Sequence, residues 1–274
     1  MSKKRLKNEF KIGSVILSIY VIWFLSWIIY SSFSGGETLL RGDMTKELLP
    51  PFKHGYILGT DIYGRSILEI LSKGLSYSLG VAFLVSLTSS AIGVTMGYLS
   101  VTGPKSVRIF TDLLTNLIFI FPSILIAIMV MSVIGQSFWG LVFALIVTGW
   151  PGYARIARGE TMRVMSLAYV ESAKAIGMGK MRLFFTVILP AILPFILVHV
   201  ILGLSGVIVS EASLGFLGLG GSEFSWGAML AMAKTILLEA PFLVIILSIM
   251  MAGLIIGLNL VGDGLRDYLD PHES

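Results

Sequence analysis

Apolar residues in this chain come in long unbroken runs, with charged residues clustered between them. Charge-free stretches lie between Lys11 and Glu37, Lys73 and Lys105, Asp112 and Arg155, Arg182 and Glu211, and Glu239 and Asp263. A charge at the centre of a membrane-spanning helix costs about 2.5–3.5 kcal/mol, and one span needs about 20 apolar residues. Four of the stretches therefore predict one span each. The stretch from Asp112 to Arg155 is roughly double the length one span needs, and Gly135-Gln136-Ser137 interrupts it, so it predicts two. The pattern gives an all-α integral membrane protein with six transmembrane helices.

The first apolar run, Ile12 to Phe33, exceeds the 7–15 residues of a signal-peptide core, and no A-x-A site follows it. It is expected to stay as an uncleaved helix behind the basic start Lys3-Lys4-Arg5. The chain then divides into an N-terminal segment 1–11, a first helix 12–33, an outer segment 34–74, a domain 75–263 holding helices 2–6 with its largest loop at about 155–186, and a tail 264–274.

With six spans both termini share a side. Lys3, Lys4, Arg5, Lys7, Lys11, Lys105, Arg108, Arg155, Arg158, Arg163, Lys174, Lys180, Arg182 and Arg266 fall on that side, 14 in all, against 6 on the other (Arg41, Lys46, Lys53, Arg65, Lys73, Lys234). The excess of Lys and Arg on cytoplasmic loops predicts cytoplasmic termini.

Composition narrows the function. The 274 residues are 55% hydrophobic and only 13% charged, where soluble domains carry about 25% charged residues. The absence of cysteine excludes a disulfide scaffold, a thiolate metal site and a cysteine nucleophile. The net charge of +4 is small, and nothing points to nucleic acid. The nearest approach to a phosphate-cradling G-x-x-x-x-G-K-[ST] run is Gly177-Met178-Gly179-Lys180-Met181, which lacks the earlier glycine and the Ser/Thr. Neither H-E-x-x-H nor G-x-S-x-G occurs. The chain is expected to be no enzyme and to hold no cofactor or metal. Gly93-x-x-x-Gly97 and Gly253-x-x-x-Gly257 allow close helix packing. No convincing inverted repeat of the kind many secondary transporters carry stands out.

The largest loop holds the most informative stretch, YVESAKAIGMGKMRLFFTVILPAILP, Tyr169 to Pro194. Its first part predicts a short helix with Val170, Ala173 and Ile176 near one face and a stop at Gly177 that needs a positive φ. Pro190 and Pro194 fall in the first turns of the next apolar run. A short amphipathic helix here either docks into a groove on another protein or lies on lipid head groups.

The stretch resembles the coupling-loop signature of ATP-binding-cassette importer permeases, E-A-A-x-x-x-G followed by I-x-L-P. Glu171, Ser172, Ala173, Gly177, Val187, Leu189 and Pro190 fill those places, with Ser172 for the central alanine and Val187 for isoleucine. LGTDIYGR (58–65), WPGYARIARG (150–159), SEASLGFLGLG (210–220), SWGAML (225–230) and NLVGDGLRDYLDP (259–271) resemble further segments of the second permease of the peptide/nickel class. The resemblance covers residues 55–271. It implies the type I ABC importer permease fold in a bacterial or archaeal plasma (inner) membrane. It also implies a heterodimer with a homologous permease, two ATPase subunits that bind ATP and Mg, and an extracytoplasmic solute-binding protein. Glu171 to Gly177 would pass force from the ATPases to the bundle, and the cargo would be a peptide or a nickel complex. The ending Asp270-Pro271-His272 leans towards nickel. The competing class is a stand-alone channel or secondary transporter.

Other polar positions carry a plain and a sharp expectation. His199, near the middle of the fifth helix, either packs by a hydrogen bond or lines the solute path; alone it makes a poor metal site. Asp61 and Arg65, at i and i+4, either pair at a helix start or meet the binding protein. Glu211 and Glu239 mark outer ends of helices 5 and 6 as solvated groups. Asp112 opens helix 3, where its charge suits the helix dipole.

Overall fold

The computed structural model describes residues 3–33 and 42–269. Helices α1 (Lys3–Phe33), α2 (Ile67–Thr102), α3 (Lys105–Ile120), α4 (Ser123–Ile134), α5 (Phe138–Met165), α6 (Ala168–Ala175), α7 (Lys180–Leu183), α8 (Leu189–Phe216), α9 (Trp226–Thr235) and α10 (Pro241–Leu269) follow one another. No strand occurs among the described residues, only two isolated bridges in the segment before α2.

Among the described residues five helical stretches are long and apolar enough to cross a membrane: Asn8–Phe33, Ile67–Thr102, Phe138–Met165, Lys180–Phe216 and Pro241–Leu269. The pair α3–α4 passes the same test together but bends by 96° between its halves. Counting that pair as one span gives six. Pro122 accounts for the bend. It has no N–H to continue α3, and it drives Phe121 into extended backbone, with φ −97° and ψ 144°. The helices overrun the apolar runs at several ends: α2 begins at Ile67 and α10 continues to Leu269. Charge-free length measures only the hydrocarbon crossing, not where helical hydrogen bonding stops.

α2 is the central post. At about 1.5 Å per residue its 36 residues reach well beyond the roughly 30 Å hydrocarbon core. Its buried side is rich in small residues, Ser86, Ser89, Ser90, Gly93, Gly97 and Ser100. A Cβ on Gly97 would stand 2.7 Å from the Ala154 carbonyl oxygen and the Ala157 Cβ, so α5 approaches α2 at backbone distance. Likewise Gly257 faces Ile16 and Leu17 of α1, and the Tyr20 hydroxyl donates to the Met250 carbonyl at 2.6 Å. In lipid, where apolar surface alone gives no drive to associate, such close approach supplies the packing energy.

The segment 42–66 is a compact cap. Asp43 starts a short 3-10 turn, Met44–Lys46, accepting from the Thr45 backbone N–H at 3.1 Å. The Thr45 hydroxyl and then Lys46 hold the Asp43 carboxyl down to about 2. Buried Thr60 donates to the Lys46 carbonyl and accepts from the Leu49 N–H.

Candidate coupling site

α6 follows α5 after Ser166-Leu167. The Leu167 N–H bonds the Val164 carbonyl and the Val170 N–H bonds Leu167, so the two helices join without slack. Val170 and Ala173 are buried, 0% and 8% exposed, among Tyr98 of α2, Ala157 and Val164 of α5, and Leu183 and Phe184. Glu171, Ser172 and Lys174 face outward. Ile176 does not join the buried face: it is 82% exposed. It lies at the C-cap, where the chain is already leaving helical geometry.

The helix ends in a Schellman closure. The Gly177 N–H bonds the Lys174 carbonyl at 2.9 Å and the Met178 N–H bonds Ala173 at 3.1 Å. Gly177 has φ +81°, as the sequence predicted. Nothing lies within 4 Å of where its Cβ would be, so conformation, not space, calls for glycine there.

Beyond the turn, α7 runs into a single π-helical stretch, Phe184–Ile188, and then into α8. The Leu189 N–H reaches back five residues to the Phe184 carbonyl. A proline ring ordinarily collides with the carbonyl four residues before it, and widening the turn ahead of Pro190 relieves that crowding. The start of α7 is tied twice to the end of α2. The Tyr98 hydroxyl donates to the Lys180 carbonyl at 2.8 Å, and the Lys180 ammonium donates to the Thr102 carbonyl at 3.0 Å. The Tyr98 and Phe184 rings lie 4.5 Å apart.

Glu171, Ser172 and Gly177 thus share one exposed surface with Ala173 beneath them. Leu189 and Pro190 do not join it; they shape the entry into α8. Tyr98 and Phe184 carry no mark in the sequence, because they meet the loop and each other only in the folded chain; Tyr98 and Lys180 stand 82 positions apart.

His199 is partly buried and its Nδ1 stands 2.8 Å from the Phe195 carbonyl one turn earlier. Asp61 and Arg65 pair, but in a turn rather than at a helix start. One Asp61 oxygen accepts from the Tyr63 and Arg65 N–H groups and the other from Arg65 Nε at 2.8 Å. Arg65 also reaches Glu223 at 3.5 Å. Two acidic positions differ from expectation. Asp112 lies in the middle of α3, not at its start, and pairs with Arg158 of α5. Glu211 is no solvated end group: it is fully buried and accepts from the Ser78 hydroxyl at 2.8 Å. α8 runs on to Phe216, so the charge that stopped the apolar run did not stop the helix. Glu239 is exposed. Among the described residues no group of three or more His, Asp or Glu side chains stands together as a metal site.

Residues 89–274 match the family described as "Binding-protein-dependent transport system inner membrane component". The chain is 36% identical to the dipeptide transport system permease protein DppC of Haemophilus influenzae, over 83% of this chain and 79% of that one. It is 34% identical to the glutathione transport system permease protein GsiD of Pectobacterium atrosepticum, over 78% and 72%. A chain of the MetNI methionine ABC transporter in an inward-facing conformation superposes with a TM-score of 0.62 at 18% identity, covering 73% of this chain and 97% of that one. That likeness shows the type I fold.

Proposed function

Because the chain belongs to the binding-protein-dependent transport system inner membrane components, we propose that it forms half of the path of an ATP-driven peptide importer and is driven through α6 by separate ATPase subunits. The observation that carries the coupling role is the mounting of α6. A short helix with an outward polar face sits on a buried platform that joins α2, α5 and α8. Force applied to Glu171, Ser172 or Lys174 would be delivered to three spanning helices at once. A stand-alone channel or secondary transporter would have no use for such a mount.

Short peptides are the cargo suggested by the relatives named for dipeptides and glutathione. A nickel complex, towards which Asp270-Pro271-His272 leaned, rests on residues outside the described ones. The path would need a second, homologous permease, and an outer binding protein would deliver the solute. ATP and Mg would bind the ATPase partners. In this scheme α6 and both termini face the cytoplasm. An impermeant thiol reagent on whole cells should label a cysteine at Glu223 and spare one at Ser172; the reverse would invert the topology.

The test is uptake by vesicles holding the complete transporter and its binding protein. A labelled dipeptide should accumulate only with ATP inside reach of the ATPases, and a nickel complex should not. Accumulation without ATP would contradict the reading.

A further inference from the structure

A cavity of about 500 Å³ opens between α1, the cap and the start of α2, on the flank away from α6. Trp23, Trp27 and Tyr30 line it from α1, Tyr56 from the cap, and Ser66, Glu69 and Ser72 from the α2 side. The three α1 rings are spaced i, i+4 and i+7 and so share a helix face; Trp27 and Tyr30 lie 6.2 Å apart. Counting back from Phe33 at about 1.5 Å per residue, Tyr30 is about 4.5 Å and Trp23 about 15 Å below the end of the helix. The cavity therefore runs from head-group level into one leaflet.

Glu69 is the unusual member. It is partly buried, and among the described residues it has neither a hydrogen bond nor an ion pair. Its position in the first turn of α2 suits the helix dipole, but that does not account for the aromatic wall opposite. Among the described residues two nearby cations are engaged elsewhere: Lys73 sits 3.9 Å above the Phe224 ring, and Arg65 is held by Asp61. Ser72 is also used, accepting from the Trp23 indole at 2.8 Å and donating to the Leu68 carbonyl. Ser66 makes no side-chain cap bond, so its hydroxyl is available.

We propose that this cavity is a binding site for a primary-ammonium phospholipid head group. Aromatic faces attract an ammonium, and a carboxylate bonds one that still carries N–H donors. A quaternary ammonium could use the rings but not the hydrogen bond. The Ser66 hydroxyl can donate to the phosphate. A lipid is favoured over a free solute because Ile19, one turn deeper than Trp23 on the same side of α1, leaves exposed apolar surface in line with the cavity, where an acyl chain would lie.

The test uses the complete transporter, purified in detergent. Phosphatidylethanolamine, phosphatidylglycerol and free ethanolamine are each titrated while the melting midpoint is followed, and copurifying lipids are quantified. The first lipid should stabilise the protein at lower concentration than the second. Glu69→Gln should weaken that response on the order of tenfold, as expected when a charged bond becomes a neutral one, without altering the response to phosphatidylglycerol. Trp27→Leu should do the same. The retained ratio of the two lipids should fall in parallel, a readout independent of stability. An unchanged preference in Glu69→Gln would overturn the site, and so would equal binding of both lipids by the native protein. Stabilisation by free ethanolamine alone, equal to that of the lipid, would overturn the lipid as its source. None of these outcomes depends on ATP-driven uptake.

Discussion

The hydroxyl of Tyr98, four residues before the end of α2, donates to the backbone carbonyl of Lys180 at the start of α7. One bond thus joins the central helix to the far side of the loop that carries α6. With the Tyr98 ring against Phe184, it sets how stiffly motion at α6 reaches α2.

Tyr98→Phe keeps the ring contact and removes the bond. A neutral hydrogen bond contributes about 0.5–1.5 kcal/mol, so insertion and assembly should survive. Solute moved per ATP hydrolysed should fall while hydrolysis by the complex continues. Measuring both rates in the same vesicles checks this; an unchanged ratio would show that the tie carries no force.

Gly177→Val places a β-branched residue at φ +81° in otherwise open space. The strain is about 1–3 kcal/mol, enough to displace the Schellman closure and the outward face of α6. Uptake should drop severely at normal expression. Gly177→Asn, which tolerates this backbone region, should retain most of it. Equal loss in both variants would mean that the side chain, not the backbone, disturbs the site.

Much of the bundle was legible in the sequence. The charge-free stretches located the spans, and Gly93/Gly97 and Gly253/Gly257 marked two tight helix contacts. Gly177 announced its turn because positive φ is a local property. Gly135-Gln136-Ser137 marked the break between α4 and α5; the bend at Phe121-Pro122 is local too, but a proline inside an apolar run leaves its charge-free length unchanged. Glu211 and Asp112 were misplaced for a different reason. Their partners, Ser78 and Arg158, lie 133 and 46 positions away, and a distant partner is what permits a polar group inside a helix bundle. The platform under α6 was hidden in the same way.

Gly97→Val should destabilise the bundle. The new Cβ would stand 2.7 Å from the Ala154 carbonyl oxygen and the Ala157 Cβ, and neither backbone nor a buried alanine can step aside. Overpacking of this kind costs about 1–3 kcal/mol. The melting midpoint in detergent should fall well below that of an exposed control such as Gly159→Val, where no atom lies within 4 Å.

Glu211→Gln should be tolerated and Glu211→Leu should not. The amide keeps an acceptor for the buried Ser78 hydroxyl; leucine strands it, at about 1–3 kcal/mol per unsatisfied group. Melting midpoints of the two variants give the comparison. A leucine variant as stable as the glutamine one would show that Ser78 finds another partner.

The central claim is that α6 is the contact through which ATPase subunits drive this permease. A photo-activated cross-linker introduced at the exposed position Ser172 of the assembled transporter tests it most directly. Mass spectrometry of the adduct should identify an ATP-binding-cassette subunit, with a yield that changes when ATP is added. Cross-links to lipid alone, in a complex that still imports with ATP, would contradict the account.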